Sequence, residues 1–460
     1  MVDNIEVLHN LPFLVTLDVE TSVVNKSSMA IKGGILIDAE TRQFTSVSLQ
    51  LKDNAGSLIE SISENGLSLK KGDIYSFEFS KELPLSAGRE NRYSLVVQLD
   101  DTQNTLNSSI KNLAFLPTKR LVLEEYTGMT CQNCPLGILA IEKIKSIYGK
   151  QFIPISIHTY PGDNLGTGMA GYSDYFAFTG APSGIINRKG AISYPMVSIG
   201  QDYSFNAPEG EAPLWLDIVT EEMDEPTEAD ITATATLSAD AKTISVPCSV
   251  RYALDAENVN ANLFMVVLED NVLGYQQNNL MSLTDPDLGE WGQGGEYAKS
   301  AVYPFYHNDV ARGWVGRTIS GTPGLLPSTV KAGENYEVTL TAEVPASVSD
   351  VNNLKVVVML LNANNETVIN AAEAPVGDAT DIDNATTSSE AFCIATAPGQ
   401  VIVSTAAQTT ASLYSTTGTL LAEGSGCGHI KLSTGNYRGV ALLKIENEAQ
   451  VTVVRKLMLK

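Results

Sequence analysis

The stretch RLVLEEYTGMTCQNCPLGILAIEKI, Arg120 to Ile144, decides how the middle of the chain folds. A strand-like run, LVLEEY, leads into a loop holding Cys131 and Cys134. The run after it, PLGILAIEKIKSIYG, places Ile138, Ile141, Ile144 and Tyr148 three or four residues apart and ends at Gly149. That spacing predicts a helix with one apolar side, stopped by glycine. QFIPISIHT follows as a second strand, so the order is strand, helix, strand, and the two strands are expected to be parallel. Downstream, GYSDYFAF reads as a short helix, SGIINRK as a strand and PEGEAPLWLDIVTEEM as a closing helix.

The cysteine pair sits where this order has chemical content. A sulfur at a helix N-terminus meets unpaired backbone N–H groups and the positive end of the helix dipole, which favour the thiolate. With the helix starting at Cys131, that residue would attack and Cys134, one turn further in, would resolve the mixed disulfide. Two other readings fit the same residues. CxxC can be a fixed staple. It can also be half of a zinc site, which needs two more ligands, and His158 is the one histidine of this region. Exposure of Cys131 is expected of an exchange site, whereas cover by a neighbouring domain would favour the staple.

Outward from this region the chain is strands. TSVSLQL puts Val47, Leu49 and Leu51 on one face, IYSFEF does so with Tyr75, Phe77 and Phe79, and YSLVVQL with Tyr93, Leu95, Val97 and Leu99. Period-two alternation broken by DNAG, KKGD and SAGREN predicts a sandwich over 1–117. The α/β region is drawn over 118–225. Over 226–378 the alternation returns with ITATATL and TISVPCSVRY, while NLFMVVLED and LKVVVMLLN are continuous apolar runs that suit strands buried on both faces. Between those runs a turn-rich segment, 271–333, holds Trp291, Trp314 and His307. A loop of that length has structure of its own or a binding role. Residues 379–389 read as a polar linker, and 390–460 as a small β-sandwich. The fold class expected is multidomain and β-rich, with one α/β domain between immunoglobulin-like sandwiches.

Thirty Lys and Arg against 53 Asp and Glu give a net charge of −23 over 460 residues. Such a surface repels phosphate backbones, so nucleic-acid partners are not expected. The Lys-poor, Thr- and Ser-rich composition is common outside the cytoplasm. No run approaches the ~20 apolar residues of a membrane-spanning helix. MVDNIEVLHNLPF shows neither the basic start nor the apolar core of a signal peptide, a pattern that an exported chain in mature form shares. Of the other cysteines, Cys248 shares a strand face with Ile244, Val246 and Val250 and reads as a buried small hydrophobe. Cys393 and Cys427 are candidates to pair with each other.

The strand–CxxC–helix order resembles the thioredoxin fold, and that resemblance assigns two more site residues. Glu125, six residues before Cys131 and on the strand face of Leu121 and Leu123, falls where thioredoxins carry a buried acid that moves a proton for the resolving thiol. Pro182 in FTGAPSGIINR falls where they carry a cis proline against the disulfide. The match departs from the fold's usual pattern at Thr130, where a tryptophan is usual, and at Pro135, which follows the pair instead of lying inside it. LVLEEYTGMTCQNCP, PSGIINR and YHNDVARGWVG together resemble the Omp-twenty-eight-related family of Bacteroidetes outer-membrane proteins, over about residues 118–378. In the last segment the matching residues are His307, Asn308, Val310 and Arg312. This implies a thioredoxin-like domain plus a sandwich at the outer membrane or cell surface, or secreted, with protein or peptide partners there. It implies no cofactor or metal, and no established reaction. LYSTTGTLL, LSTGNYRGVALLKI and VTVVRKLMLK are similar to the C-terminal sorting domains of cargo exported by type IX secretion. Two functions are therefore carried forward: thiol-disulfide exchange on extracytoplasmic proteins through Cys131, Cys134, Glu125 and Pro182, and a non-enzymatic adhesin or binding protein with a structural disulfide. The oligomeric state is left open.

Overall fold

In the computed structural model the chain divides into two units, Met1–Gly377 and Asp378–Lys460. The structure describes residues 12–18, 22–169, 171–199, 202–378, 393–397, 400–415, 419–435, 437–447 and 452–459, with the backbone alone for parts of the strands beyond 393.

The first unit opens with a sandwich. One sheet holds Phe13–Leu17, Lys32–Ile37 and Ile74–Glu78. The other runs Val23–Val24, Thr102–Asn112, Arg89–Leu99, Phe44–Lys52, Leu58–Leu69. Alternate residues of a strand face opposite sides, so each period-two row lies on one face. Val47, Leu49 and Leu51, with Leu95, Val97 and Leu99, are buried against Ile35, Ile37 and Phe77.

Strand β1 (Leu121–Thr127) and strand β2 (Phe152–His158) pair in parallel along their whole length, from Leu121 opposite Phe152 to Thr127 opposite His158. Helix α1 (Pro135–Tyr148) crosses between them. Strand β3 (Ser183–Ile186) pairs antiparallel with the free side of β1. Helix α2 (Trp215–Asp224) joins α1 on one face of this sheet, where Leu121, Leu123, Ile141, Ile144, Trp215 and Val219 form a core. Ile138 departs from the single apolar face expected of α1 and packs on the helix's other side.

Ten further strands follow: β4 (Ala229–Ala233), β5 (Ala235–Leu237), β6 (Thr243–Tyr252), β7 (Ala261–Glu269), β8 (Val272–Gln277), β9 (Ala301–His307), β10 (Val310–Val315), β11 (Asn335–Glu343), β12 (Leu354–Asn362) and β13 (Val368–Asp378). The α/β sheet does not stop at residue 225. Its order continues β3-β1-β2-β10-β7-β12-β13-β5-β6-β4, with β11 beside β6. The join is parallel, with Ser156 of β2 opposite Val310 of β10 and the Ser156 N–H donating to the Asp309 carbonyl at 2.8 Å. All nine residues of β7 are buried. One face packs against Ile244, Val246 and Val250 of β6 and the other against Val122, Ile153 and Ile155, which is why its sequence does not alternate.

Two buried ion pairs support the seam. Arg312 donates to Glu269 at 2.7 Å, with both side chains at most 2% exposed, and Glu269 also accepts the Ser349 and Asp350 N–H groups. Arg188 donates to Glu124 at 2.8 Å, and both contact the Tyr172 hydroxyl. Removing one member of such a pair leaves the other charge buried alone.

In the second unit Gln400–Ser415 pairs along its length with Leu420–Ser433, with a register shift between Thr405 and Thr409. Cys393–Ala397 flanks its first part and Gly439–Asn447 its second, and Thr452–Leu459 completes the five strands. Val403, Leu413, Leu432, Leu443 and Ile445 are among the core. The side chains of Cys393 and Cys427, and the linker 379–389, lie outside the described residues.

Arg312→Met should destabilise the first unit by about 3 kcal/mol or more, read as a lowered denaturation midpoint. Replacing Arg312 and Glu269 together by apolar residues should recover much of that loss.

Candidate functional site

Beyond β1 the chain turns through Gly128, Met129 and Thr130 into the disulfide Cys131–Cys134, whose Cα atoms are 5.4 Å apart. Cys134, not Cys131, is the residue that caps α1. Its N–H donates to the Cys131 carbonyl at 3.3 Å, and its own carbonyl accepts the Gly137 N–H at 3.0 Å. Pro135 explains the start point, because proline suits the first helical position, where its missing N–H has no partner to lose. The expectation that Cys131 opens the helix with Cys134 a turn inside is thus corrected by three residues.

The four residues singled out in the sequence are brought together. The Ala181–Pro182 peptide is cis, and the Cys131 Sγ lies 3.5 Å from the Ala181 carbonyl oxygen. Glu125 is 2% exposed, with one carboxyl oxygen accepting from the Ser156 hydroxyl at 3.1 Å. The other has no hydrogen-bond partner among the described residues. A Cβ at Gly137 would stand 2.2 Å from that oxygen and 3.2 Å from Pro182 Cβ, so glycine makes the room they share. Burial pushes the Glu125 carboxyl up to about 7, against the hydrogen bonds from Ser156 and Thr127 and with help from the negative charge of Asp309.

The pair is closed off from solvent. Cys131 is 3% exposed and Cys134 not at all, while Gln132 and Asn133 between them are exposed. The expectation that Cys131 is partly exposed is therefore wrong: its sulfur lies against the Ala181 carbonyl, and the turn-rich segment binds the backbone of the cysteine turn. Its β8–β9 hairpin lies over the cysteine turn. The Gln276 side-chain amide donates to the Cys131 carbonyl at 2.8 Å, the Gln277 N–H to Met129 at 2.9 Å and the Asn279 N–H to Gln132 at 3.1 Å. Met129 packs among Leu165, Val272 and Val310. Leu280, Leu288, Trp291 and Val302 cover Leu136, Ile138 and Leu139 of α1. Gly274 permits the close approach, since a Cβ there would stand 2.7 Å from Met129 Sδ.

The histidines tie the same turn from beneath. His158 Nδ1 is 2.8 Å from Asp163, with both side chains buried. Asp163 also accepts the Met129 and Leu165 N–H groups, at 2.7 and 2.8 Å. Burial alone would raise the Asp163 carboxyl, but these donors hold it below its usual range. The His307 ring meets His158 edge-on at 4.9 Å. Burial and that neighbour push His307 down to about 3, so it is neutral and its Nε2–H donates to the Tyr275 carbonyl at 3.1 Å. Asn308 accepts the Asn271 N–H at 3.0 Å, and Asp309 at the β9–β10 turn takes Lys145 at 2.7 Å and Lys355. The histidine segment of the sequence thus forms the seam itself. Gln276 and Asp163, the residues that clasp the cysteine turn, had no sequence signal beyond the length of their loops. Among the described residues no cluster of three or more His, Cys, Asp or Glu is placed to hold a metal. Cys248 is free and buried, its thiol pushed up to about 11 by burial.

Glu125 supplies a pH dependence. Unfolded, it ionises near 4.5; folded, near about 7. Between these values the unfolded chain gives up its proton first, so stability is full below the lower value and lost as pH rises toward the upper. Glu125→Gln should remove this slope in urea titrations taken across that window. The variant should gain on the parent by about 3 kcal/mol from the acid end to the neutral end.

Residues 169–380 match the family described as "Outer membrane protein Omp28", a span that begins after the CxxC turn and takes in β3 to β13. No curated protein sequence matches the chain. Among solved structures, HBP35 of Porphyromonas gingivalis is similar at 16% identity and a TM-score of 0.39, over 74% of this chain and 98% of that one. The alpha-2-macroglobulin of E. coli is similar at 10% identity and a TM-score of 0.19, over 99% and 30%. A Bacteroides uniformis beta-glucuronidase is similar at 14% identity and a TM-score of 0.17, over 24% and 14%. These scores are too low to carry an argument about fold or activity. Over residues 169–380, a little under half of the chain, the sequence is thus similar to outer-membrane proteins of the Omp28 type, and the CxxC disulfide lies in a thioredoxin-like α/β region with β-sandwiches on either side of it in sequence.

Proposed function

We propose that this is a non-enzymatic binding protein of the cell surface, in which Cys131–Cys134 is a fixed staple and the sandwiches meet the partners, proteins or peptides outside the cell. The observation that carries the reading is the 3% exposure of Cys131 beneath Gln276. Exchange begins with a thiolate of another protein approaching one sulfur of the disulfide, so access limits the rate as strongly as sulfur chemistry does. In this reading an approach from solvent requires the buried cysteine turn to open, and the β8–β9 hairpin holds that turn by hydrogen bonds to the Cys131, Met129 and Gln132 carbonyls. As a staple the bond closes a short loop and contributes about 2 kcal/mol in the chain-entropy account. The second unit, by its resemblance to sorting domains, serves export and surface attachment in this reading.

Thiol-disulfide exchange is the second reading. The buried Glu125 beside the helix start favours it, since a carboxyl held near 7 can pass a proton at neutral pH. It requires an opened hairpin.

The full chain should not accelerate insulin reduction by dithiothreitol above the uncatalysed rate. Replacing both cysteines by alanine should cost about 2 kcal/mol of stability and leave the surface protein folded. Acceleration of insulin reduction that Cys131→Ala abolishes would overturn the staple.

A further inference from the structure

The chain contains one Asn-Gly step, Asn65-Gly66. It lies in Leu58–Leu69, the outermost strand of its sheet, so the far edge of that strand pairs with no further strand of the sheet. The ladder to Phe44–Lys52 breaks at this step. Ser46 stands opposite Asn65 and Phe44 opposite Leu69, which leaves Gly66, Leu67 and Ser68 against Thr45 alone. The extra residues of a bulge fall out of the ladder, and glycine takes backbone conformations there that other residues resist. Gly66 has a φ of +77°, so the backbone is not extended at this point although the strand continues on either side. Four successive residues, Ser63 to Gly66, are exposed, and a Cβ at Gly66 would meet no atom within 4 Å. The Asn65 side-chain amide makes no hydrogen bond among the described residues. The amides of Asn91, Asn112 and Asn370, in contrast, are tied to backbone carbonyls.

We propose that Asn65 is a site of spontaneous covalent modification, converting to aspartate and isoaspartate in the folded protein. The Gly66 nitrogen bonds to the side-chain carbonyl carbon of Asn65, and the amide nitrogen leaves as ammonia, taking the Gly66 proton. The product is a five-membered succinimide. Water then opens the ring. Cleavage at the former side-chain carbonyl restores the ordinary backbone with an aspartate side chain. Cleavage at the main-chain carbonyl leaves isoaspartate, in which the backbone runs through the side-chain methylene. Water is the one co-reactant, and nothing is oxidised or reduced. Glycine suits the attack because no side chain stands beside the attacking nitrogen, and the open space around Gly66 admits the water. Either product adds a negative charge opposite Ser46, whose hydroxyl already donates to Asp100 at 2.9 Å. The site is independent of the cysteine pair.

Timed incubation of the full chain at mildly alkaline pH tests this, with a synthetic peptide of residues 60–70 beside it, continued until most of the peptide has converted. Peptide mapping by mass spectrometry reads the conversion at each asparagine. Methyl uptake from S-adenosylmethionine, with an isoaspartyl methyltransferase as the probe, reads isoaspartate. Asn65 should convert faster than any other asparagine of the folded chain, by roughly tenfold. Asn65→Gln, whose side chain would have to close a larger ring, should abolish the methyl uptake and leave the thermal midpoint unchanged. An Asn65 that stays an amide in the folded chain while the peptide converts, an asparagine elsewhere that converts first, or methyl uptake that Asn65→Gln retains would overturn it.

Discussion

The contact between Gln276 and the Cys131 carbonyl is the constraint on which the reading of this protein turns. It joins a hairpin from the second half of the first unit to the loop of its α/β region, 145 residues apart in sequence. The hairpin can reach that loop because β10 continues the sheet of β2, Val310 beside Ser156, so the strands leading to it are already in register with the α/β layer. Ser156 connects the two levels. Its N–H holds the seam at Asp309 and its hydroxyl holds Glu125 under the helix start.

The charges around the seam follow from the same continuity. A sheet covered on both faces has no water to solvate side chains that cross it, so its ionic groups occur in pairs: Glu269 with Arg312, Glu124 with Arg188, Asp309 with Lys145 and Lys355. Glu125 is the exception, with one oxygen unpartnered, and a raised carboxyl is the physical response to such a place. The residues that the thioredoxin resemblance points to stand together here, and the two sulfurs among them are buried. The arrangement and the closure are separate features, and the second governs what can reach the sulfurs.

Much of this was legible in the residues. Alternation located the sandwich rows at Val47–Leu51 and Tyr93–Leu99, and the unbroken apolar runs of β7 and β12 announced burial on both faces. The spacing from Glu125 to Cys131 and the FTGAPSG block located a constellation that the fold assembles. Cover was not legible. Nothing local in Gly274, Gln276 or Leu280 says that they pack against residues 129–139, because long-range docking leaves no periodic trace. The residue that caps the helix was misplaced by three for a local reason, the preference of Pro135 for the first helical position. The continuous sheet across residue 225 was hidden for the same reason as the hairpin: a β2–β10 pairing joins segments whose own patterns are complete without it.

The most direct test of closure is the rate at which a small phosphine reductant opens Cys131–Cys134 in the native protein, compared with the same protein in denaturant, followed by trapping and mass. A sealed disulfide predicts native reduction slower by about a hundredfold or more, the cost of ~3 kcal/mol of hairpin opening. Equal rates in the two conditions would contradict the account, for they would mean that the hairpin does not guard the sulfurs.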